Sequence, residues 1–421
     1  MKIKALKIYT ALFYLMIFSY MLGPALSYRV GIPRIDNPLT VFIVLATAVI
    51  AVFEAKRIPR NVFYTLSAVF VMAYWGGIHL WISTLSRIQF MDTLFFLSLP
   101  SLFYLLYLII SRHEEPLVFI RRTLIFFVAC MVIPPVIEVA TGFQFVQSNE
   151  VLAVDSGIIK GFFFNPNNLG TAALCFAPAV LLFFNVDARP KDKIIGWLLF
   201  LSLGAVIFAS ASRTATLCYI ILFLLNLIYR NNAVITALML LISGIVLSLI
   251  PKEWIGNFLL SLNENVFLEN ISSRLYLFLF DLESDNSVGY RQEIYNYFWN
   301  NPPLLLYGYG PKNFREYFAG HLSGSLGFEN PHSFIIELYL GFGIISLLAF
   351  AAYVLYYMLQ TVASGGLRSK QKFIAWLAMG LFLLAGFIPS TIFRMPFIWF
   401  PCFMIFIYST LPLFSKKYAA A

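Results

Sequence analysis

The sequence predicts an all-α polytopic membrane protein with about twelve transmembrane helices and one large helical extracytoplasmic loop. Hydrophobic residues make up 60% of the 421 residues and the mean hydropathy is +0.82, far too apolar for a soluble protein of this length. Many apolar stretches reach the roughly 20 residues that a helix needs to cross a bilayer core. A single long polar segment, residues 251–331, interrupts this series of apolar stretches.

The predicted spans divide the chain into three parts. Residues 1–251 hold transmembrane helices one to nine, residues 252–331 form the extracytoplasmic loop, and residues 332–421 hold helices ten to twelve. The first span is longer than the apolar region of a signal peptide and is expected to stay as an anchor. In chain order the spans cover residues 5–27, 38–54, 62–84, 93–111, 117–140, 167–186, 194–210, 214–230, 233–251, 332–361, 373–391 and 395–413.

The net charge of +9 orients the protein in the membrane. With a cytoplasmic N-terminus, short loops on the cytoplasmic side collect most of the basic residues, which is the positive-inside pattern. No loop combines a basic patch with aromatic or helical readers, so nucleic-acid binding is excluded. The basic residues on this side are Lys2, Lys4, Lys7, Lys56, Arg57, Arg60, Arg112, Arg121, Arg122, Arg189, Lys191, Lys193, Arg230, Arg368, Lys370, Lys372, Lys416 and Lys417.

The cysteines offer no cross-link or metal site. Cys130, Cys175, Cys218 and Cys402 all fall inside predicted spans and none forms a Cys-x-x-Cys pair. We therefore interpret them as small apolar packing residues. No spaced carboxylates or histidine cluster suggests a metal either, so no metal and no cofactor are expected.

The large loop is predicted to be partly helical. Residues 254–280 mix apolar and charged side chains, as in amphipathic helices that lie on an interface or cover a cavity. A second helix should run from Ser287, its cap, to Trp299, before Asn300-Asn301-Pro302-Pro303. The chain contains no internal repeat, so the inverted-repeat signature of many secondary transporters is absent.

His332 is the leading candidate for a general base. Asn330-Pro331 is a helix start signal, which would place His332 in the first turn of the next span. The positive end of a helix dipole disfavours an imidazolium ion, so a histidine there should stay neutral and able to accept a proton. The alternative is a histidine that only anchors the helix at the interface.

Two arginines are candidates for binding a diphosphate. Arg213 follows the turn Ser210-Ala211-Ser212, and Arg291 lies in the large loop, both on the side where positive charge is avoided. Guanidinium groups bind phosphate oxygens in a bidentate way. Arg213 could instead contact lipid headgroups, and Arg291 could form a surface ion pair with Glu293 or Asp285, which would contribute little.

The stretch Asn165-Pro166-Asn167-Asn168 opens a span in the same way as Asn330-Pro331. Free N–H groups at such a helix start can bind an anion or a sugar hydroxyl, although a plain helix cap is the alternative. The carboxylates on this side, at Asp155, Glu293, Glu316 and Glu329, include no pair with the spacing of a two-carboxylate glycosidase.

Four motifs together resemble the O-antigen ligase and O-antigen polymerase superfamily of bacterial membrane glycosyltransferases. They agree with that superfamily in order and in membrane side. The motifs are Gly-Phe-Phe-Phe-Asn-Pro-Asn-Asn-Leu-Gly at 161–170, Ser-Arg-Thr-Ala at 212–215, Gly-Tyr-Arg at 289–291, and Asn-Pro-His-Ser with Gly-Phe-Gly at 330–343.

The resemblance implies a GT-C-like enzyme in the bacterial cytoplasmic (inner) membrane, with its active site facing the periplasm or exterior. The donor would be an undecaprenyl-diphosphate-linked oligosaccharide, transferred without a metal and with inversion. His332 would be the general base, and Arg213 and Arg291 would hold the diphosphate. The remaining residues expected to contact substrate are Asn165, Asn167, Asn168, Tyr290 and Asn330.

Three functions remain open from the sequence. A polymerase would join lipid-linked repeat units, with a chain-length-regulating co-polymerase as a candidate partner, and is favoured as the more varied group. A ligase would transfer the finished glycan to lipid A-core. A flippase or transporter for lipid-linked glycans would need charged groups inside spans, for which Glu138, Glu337 and His79 are the candidates.

Overall fold

A computed structural model of the chain has helices and no strand among the residues it describes, which confirms the all-α prediction. Helices rather than strands follow from the long apolar stretches, whose backbone groups are satisfied within each segment. The described residues are 2–31, 36–54, 58–82, 87–146, 159–230, 238, 241–242, 244–245, 249–262, 269, 272–273, 275–276, 279–280, 286–310, 315–318, 331–388 and 395–411.

Most helices lie where the sequence predicts spans. The predicted span 233–251 falls largely outside the described residues. The helices are α1 (Lys2–Val30), α2 (Asp36–Glu54), α3 (Arg60–Gly77), α4 (His79–Ile82), α5 (Arg87–Arg112), α6 (Pro116–Thr141), α7 (Pro166–Phe183), α8 (Pro190–Ala209), α9 (Arg213–Arg230), α10 (Lys252–Ser261), α11 (Asn286–Asn300), α12 (Arg315–Phe318), α13 (Phe334–Ala363), α14 (Ser369–Ala385), a 3₁₀ helix (Pro396–Trp399) and α15 (Phe400–Thr410).

The membrane character of the chain is clear, whereas the count of about twelve spans stays a prediction. Among the described residues, five helices are long and apolar enough to cross a membrane: α1, α6, α7, α8 and α13. Four shorter apolar helices, parts of α2, α5 and α9 together with residues 396–410, coincide with further predicted spans. The chain is therefore a multi-pass membrane protein.

α7 lies at the centre of the bundle. Nearly every side chain from Leu169 to Phe183 is buried, and α7 packs against α6, α8, α9 and α14. All four cysteines are free thiols within helices, as the sequence predicts. A core buried on every side fixes the position of the helix ends, so the loops at those ends are held by a rigid frame.

Ion pairs lie at one end of the bundle. Arg112 at the end of α5 binds Glu54 at the end of α2, with Nη1 3.0 Å from Oε1. Arg121 of α6 binds Asp192 of α8 at 3.2 Å and also donates to the Phe183 carbonyl of α7. We call this the basic end. The opposite end, where Asn165, Ser212 and His332 lie, we call the site end.

The large loop packs onto the start of α13 through a small apolar cluster. Ile294 and Phe298 of α11, Phe318 of α12, and Ile336 and Leu340 of α13 are all buried there. Five half-buried tyrosines surround them. Helices α11 and α12 are thus part of a packed unit with the first turns of α13. The tyrosines are Tyr295, Tyr297, Tyr309, Tyr317 and Tyr339.

α13 is broken at Gly343, which has φ +79° and ψ −175°. A helix break frees backbone groups that must find partners in an apolar surrounding. Segment 305–310 of the large loop supplies them: Tyr309 N donates to the Leu340 carbonyl at 2.7 Å, and Ile344 N donates to the Leu305 carbonyl at 3.0 Å. The loop is therefore hydrogen-bonded into the helix break.

α3 and α4 hold segment 305–310 from the other side. The Trp75 indole N–H donates to the Leu306 carbonyl at 3.0 Å, and its ring stacks on Tyr307. His79 Nε2 lies 2.6 Å from the Tyr307 carbonyl. The N-terminal helices thereby position the large loop.

Candidate active site

His332 lies just before α13, not in its first turn, so this part of the sequence prediction is wrong. The helix begins at Phe334, and Ser333 is its N-cap, whose hydroxyl accepts from Ile336 N at 3.5 Å. His332 has φ +46°. A left-handed residue cannot continue a helix, so the helix begins only after His332, where the Ser333 hydroxyl provides the cap.

The backbone on both sides of the His332 side chain is fixed. Phe334 N donates to the Gly386 carbonyl at the end of α14, at 2.8 Å. The Tyr295 hydroxyl donates to the His332 carbonyl at 2.9 Å. An unfavourable φ persists where surrounding contacts over-determine it, and such positions cluster at functional sites.

The His332 imidazole is neutral at physiological pH. Burial, and to a smaller extent the charge of the nearby Arg291 guanidinium, together lower the pKa of His332 to about 4. The sequence predicted a neutral histidine from the helix dipole, but desolvation and the arginine are the causes that operate here. A neutral imidazole can accept a proton.

Arg291 and Tyr295 reach this site from one face of α11. Residues 291, 294, 295 and 298 follow the i, i+3, i+4, i+7 spacing of a single helix face. Ile294 and Phe298 of this face are buried against α13, so packing holds Arg291 beside His332. The structure therefore brings together His332 and Arg291, two of the three residues predicted to be catalytic.

The start of α7 forms a second element at the site end. Asn165 is the N-cap, with Oδ1 accepting from Asn167 N at 2.7 Å, and Pro166 occupies the first helical position. The predicted helix start is confirmed, and Asn165 Oδ1 makes the plain cap bond that the sequence left as the alternative. Asn167 and Asn168 are half-buried in the first turn.

The turn before α9 packs against α7 at Gly170. A Cβ on Gly170 would lie 2.6 Å from Ser210 Oγ and 3.0 Å from Ser212 Cβ. Arg213, half-buried, is the first residue of α9. This close approach joins the first two sequence motifs in space and places Arg213 at a helix N-terminus, where anions are favoured.

Aromatic contacts connect these elements to the start of α13. Phe163, from the motif before α7, contacts Phe397 of the 3₁₀ helix, with ring centroids 5.8 Å apart. Trp399 of the same 3₁₀ helix contacts Phe334, with centroids 5.7 Å apart. The starts of α7 and α13 thus flank one short helix at the site end.

A buried carboxylate fixes the chain that leads into α7. Glu138 of α6 accepts from Lys160 N at 2.9 Å and from Gly161 N at 2.7 Å. Lys160 is fully buried, and its charge interacts with Glu138. His79 likewise contacts backbone, so two of the three groups considered for a transport pathway have evident structural contacts, and Glu337 is buried in the first turn of α13.

Two predicted substrate contacts gain no side-chain description. Tyr290 is within α11, but its side chain lies outside what the structure describes, and Asn330 precedes the described residues that begin at Pro331. The sequence reasoning missed Tyr295, although its place one helical turn after Arg291 was a usable signal. It also missed the break at Gly343.

The comparison with known proteins supports the resemblance. A family model described as O-antigen ligase matches residues 197–351. That range contains Arg213, α11 and His332, and the match supports the superfamily that the motifs indicate. A search of curated proteins found no match.

Proposed function

We propose that this membrane protein, which carries an O-antigen ligase-type domain at residues 197–351, transfers a glycan from an undecaprenyl-diphosphate carrier to a hydroxyl group of an acceptor sugar. The observation that carries the proposal is the pairing of a neutral His332 with Arg291 at the start of α13. An uncharged base is required to activate a hydroxyl, and an arginine is required to bind a diphosphate.

The proposed reaction is a single displacement at the anomeric carbon. The acceptor oxygen forms the new C–O bond while its proton passes to His332. The bond from the anomeric carbon to the carrier oxygen breaks, and the electron pair leaves with the polyprenyl diphosphate. A single displacement inverts the configuration at that carbon.

The arginines stabilise the leaving group in this proposal. Arg291 from α11 and Arg213 at the N-terminus of α9 bind diphosphate oxygens, whose negative charge grows as the bond breaks. The half-buried side chains of Asn167 and Asn168 in the first turn of α7 lie at the same end of the bundle, and their amide groups suit a glycan hydroxyl or a phosphate. Neutralisation by arginine would allow transfer without a metal or cofactor.

The acceptor decides the biological role. Our first candidate is a polymerase, for which the acceptor is another lipid-linked repeat unit and a chain-length-regulating co-polymerase is a possible partner. The second candidate is a ligase that transfers the finished glycan to lipid A-core, and the O-antigen ligase description of the matched family favours it. Both roles use the same displacement.

The site end would face the periplasm or exterior of the cytoplasmic membrane. Arg112 and Arg121 lie at the opposite end, and the positive-inside rule assigns the basic end to the cytoplasm. Lipid-linked glycans that have been moved across the membrane would then meet His332 on the outer side.

The test is made in cells that lack the native gene. Wild type, His332→Ala and Arg291→Ala are expressed to equal levels in the membrane, and the surface glycan is displayed as a gel ladder. Single repeat units with His332→Ala indicate a polymerase; full-length polymer that stays on the lipid carrier indicates a ligase. An unchanged ladder with His332→Ala would reject the proposal and favour the transporter alternative.

The stereochemistry is tested separately. The anomeric configuration of the newly formed linkage is compared with that of the lipid-linked donor by NMR. Retention would reject the single displacement, because it requires a second nucleophile on the enzyme.

A further inference from the structure

The side chain of Tyr295 makes a direct hydrogen bond to the His332 backbone. Its hydroxyl donates to the His332 carbonyl at 2.9 Å. Its ring meets the edge of Phe387, just after α14, with centroids 6.5 Å apart and an interplanar angle of 81°. Tyr295 therefore joins the large loop, the residue before α13 and the end of α14.

The hydroxyl remains a donor under all physiological conditions. Burial raises the pKa of Tyr295, and the opposing effect of the Arg291 charge is smaller. A protonated phenol donates one hydrogen bond, and here that bond goes to a backbone carbonyl. The contact is thus constant rather than switched by pH.

The bonded carbonyl belongs to a residue in an unfavourable conformation. His332 has φ +46°, a left-handed conformation that residues with a Cβ rarely adopt. The Ser333 cap and the Phe334–Gly386 hydrogen bond fix the chain after His332. The Tyr295 bond fixes the His332 peptide itself, which could otherwise rotate and carry the imidazole with it.

Arg291 and Tyr295 are carried by the same face of one helix. They lie one helical turn apart on the face of α11 that buries Ile294 and Phe298. A shift of α11 would therefore change the position of the guanidinium and the conformation of His332 together.

We propose that Tyr295 is a positioning residue, which holds His332 in its left-handed conformation and so fixes the direction of the imidazole relative to Arg291. Tyr295 does not touch the substrate in this proposal. The proposal rests on the proposed function, in which His332 is the general base.

The test compares Tyr295→Phe with Tyr297→Phe. Both changes remove one hydroxyl from α11, but the Tyr297 ring contacts Tyr317 and Phe318 of α12. Membrane extract from the deletion strain supplies donor and acceptor, and purified protein is added. Initial rates at several extract dilutions give apparent kcat and KM.

We expect Tyr295→Phe to lower kcat about tenfold or more with KM nearly unchanged, because a small misplacement of a reacting group costs rate without weakening ground-state binding. Tyr297→Phe should match wild type. A wild-type kcat for Tyr295→Phe, or a change in KM alone, would overturn the proposal.

His332→Ala separates this proposal from the proposed function. If His332→Ala is active, the general-base assignment itself fails. If His332→Ala is inactive while Tyr295→Phe is fully active, only the positioning role fails.

A second variant covers the case in which Tyr295→Phe does not fold. Phe387→Leu keeps the hydroxyl but removes the ring edge that supports Tyr295. A reduced kcat for Phe387→Leu with unchanged KM supports the positioning role, and an unchanged kcat overturns it.

Discussion

Gly343 of α13 lies so close to Leu306 of the large loop that a Cβ on the glycine would be 2.2 Å from the Leu306 carbonyl oxygen. The Gly343 backbone is also left-handed, with φ +79°. Two independent constraints, space and conformation, therefore require glycine at the break in α13. The neighbouring Gly308 is constrained in the same way, since its Cβ would lie 2.5 Å from the Gly341 carbonyl carbon.

Gly343→Ala should strongly destabilise the protein. The backbone conformation alone would cost about 1–3 kcal/mol, and the backbone clash adds to this cost. Thermal unfolding in detergent measures the effect. Gly380→Ala in α14 is the matched control: nothing lies within 4 Å of its Cβ, so it should be neutral or slightly stabilising. Equal stability of the two variants would contradict the prediction.

Transfer activity should persist at mildly acidic pH. Because the pKa of His332 is lowered to about 4, the imidazole stays neutral and active well below the ordinary value of 6.5, and the rate should fall only as pH approaches 4. Initial rates in deletion-strain membrane extract measure this. Recovery of activity at neutral pH excludes unfolding. A half-maximal rate near pH 6.5 would contradict the prediction.

Arg291→Gln should shift the acidic fall in transfer rate to higher pH. Removing the guanidinium charge removes one of the two causes that lower the pKa of His332, so the imidazole protonates at a higher pH. The pH profile of residual activity is compared with that of wild type. An unchanged or lower midpoint would show that Arg291 does not act on His332.

Arg213→Lys should weaken donor use although it keeps the charge. Lysine lacks the planar fork that binds two phosphate oxygens, so we expect about a 10- to 100-fold lower kcat/KM for donor. Arg189→Lys, an exposed position at the basic end, is the control and should match wild type. Full activity of Arg213→Lys would contradict bidentate binding and show that only the positive charge of Arg213 is needed.

Glu138→Ala should lower the stability of the protein and not only its transfer activity. The change removes the acceptor for the buried Lys160 N and Gly161 N. Leaving a buried N–H group without an acceptor typically costs about 1–3 kcal/mol. Detergent-solubilised protein should unfold at a markedly lower temperature. Glu115→Ala, at an exposed position at the basic end, is the control, and a similar melting temperature for both would refute this account.

Helix positions could be predicted from the sequence because apolar length and capping residues are local properties. The Asn165-Pro166 start of α7 is an example, with side-chain and backbone groups only two residues apart. The start of α13 could not be predicted as well. Asn330-Pro331 and Ser333 are both valid local caps, and the Phe334–Gly386 bond that fixes the start joins residues far apart in the chain.

The residue types of the site could be predicted from the sequence, but the contacts that position these residues could not. His332 and Arg291 could be selected because their side chains carry the required chemistry. Tyr295 was not selected because it acts through a hydroxyl on a backbone carbonyl, a contact that residue type does not reveal. The hydrogen bonds that join segment 305–310 to α13 likewise involve backbone groups, which every residue carries.

The break at Gly343 determines where a chimera of two related enzymes should be joined if this active site is to be transferred intact. Within residues 334–342, Ile336 and Leu340 pack against the large loop, whereas Phe334, Leu338 and Phe342 belong to the main core of the bundle. A chimera joined at Phe334, the apparent border between loop and helix, would separate Arg291 from the surface that holds it. A junction after Gly343 would carry Arg291, Tyr295 and His332 across as one interchangeable module.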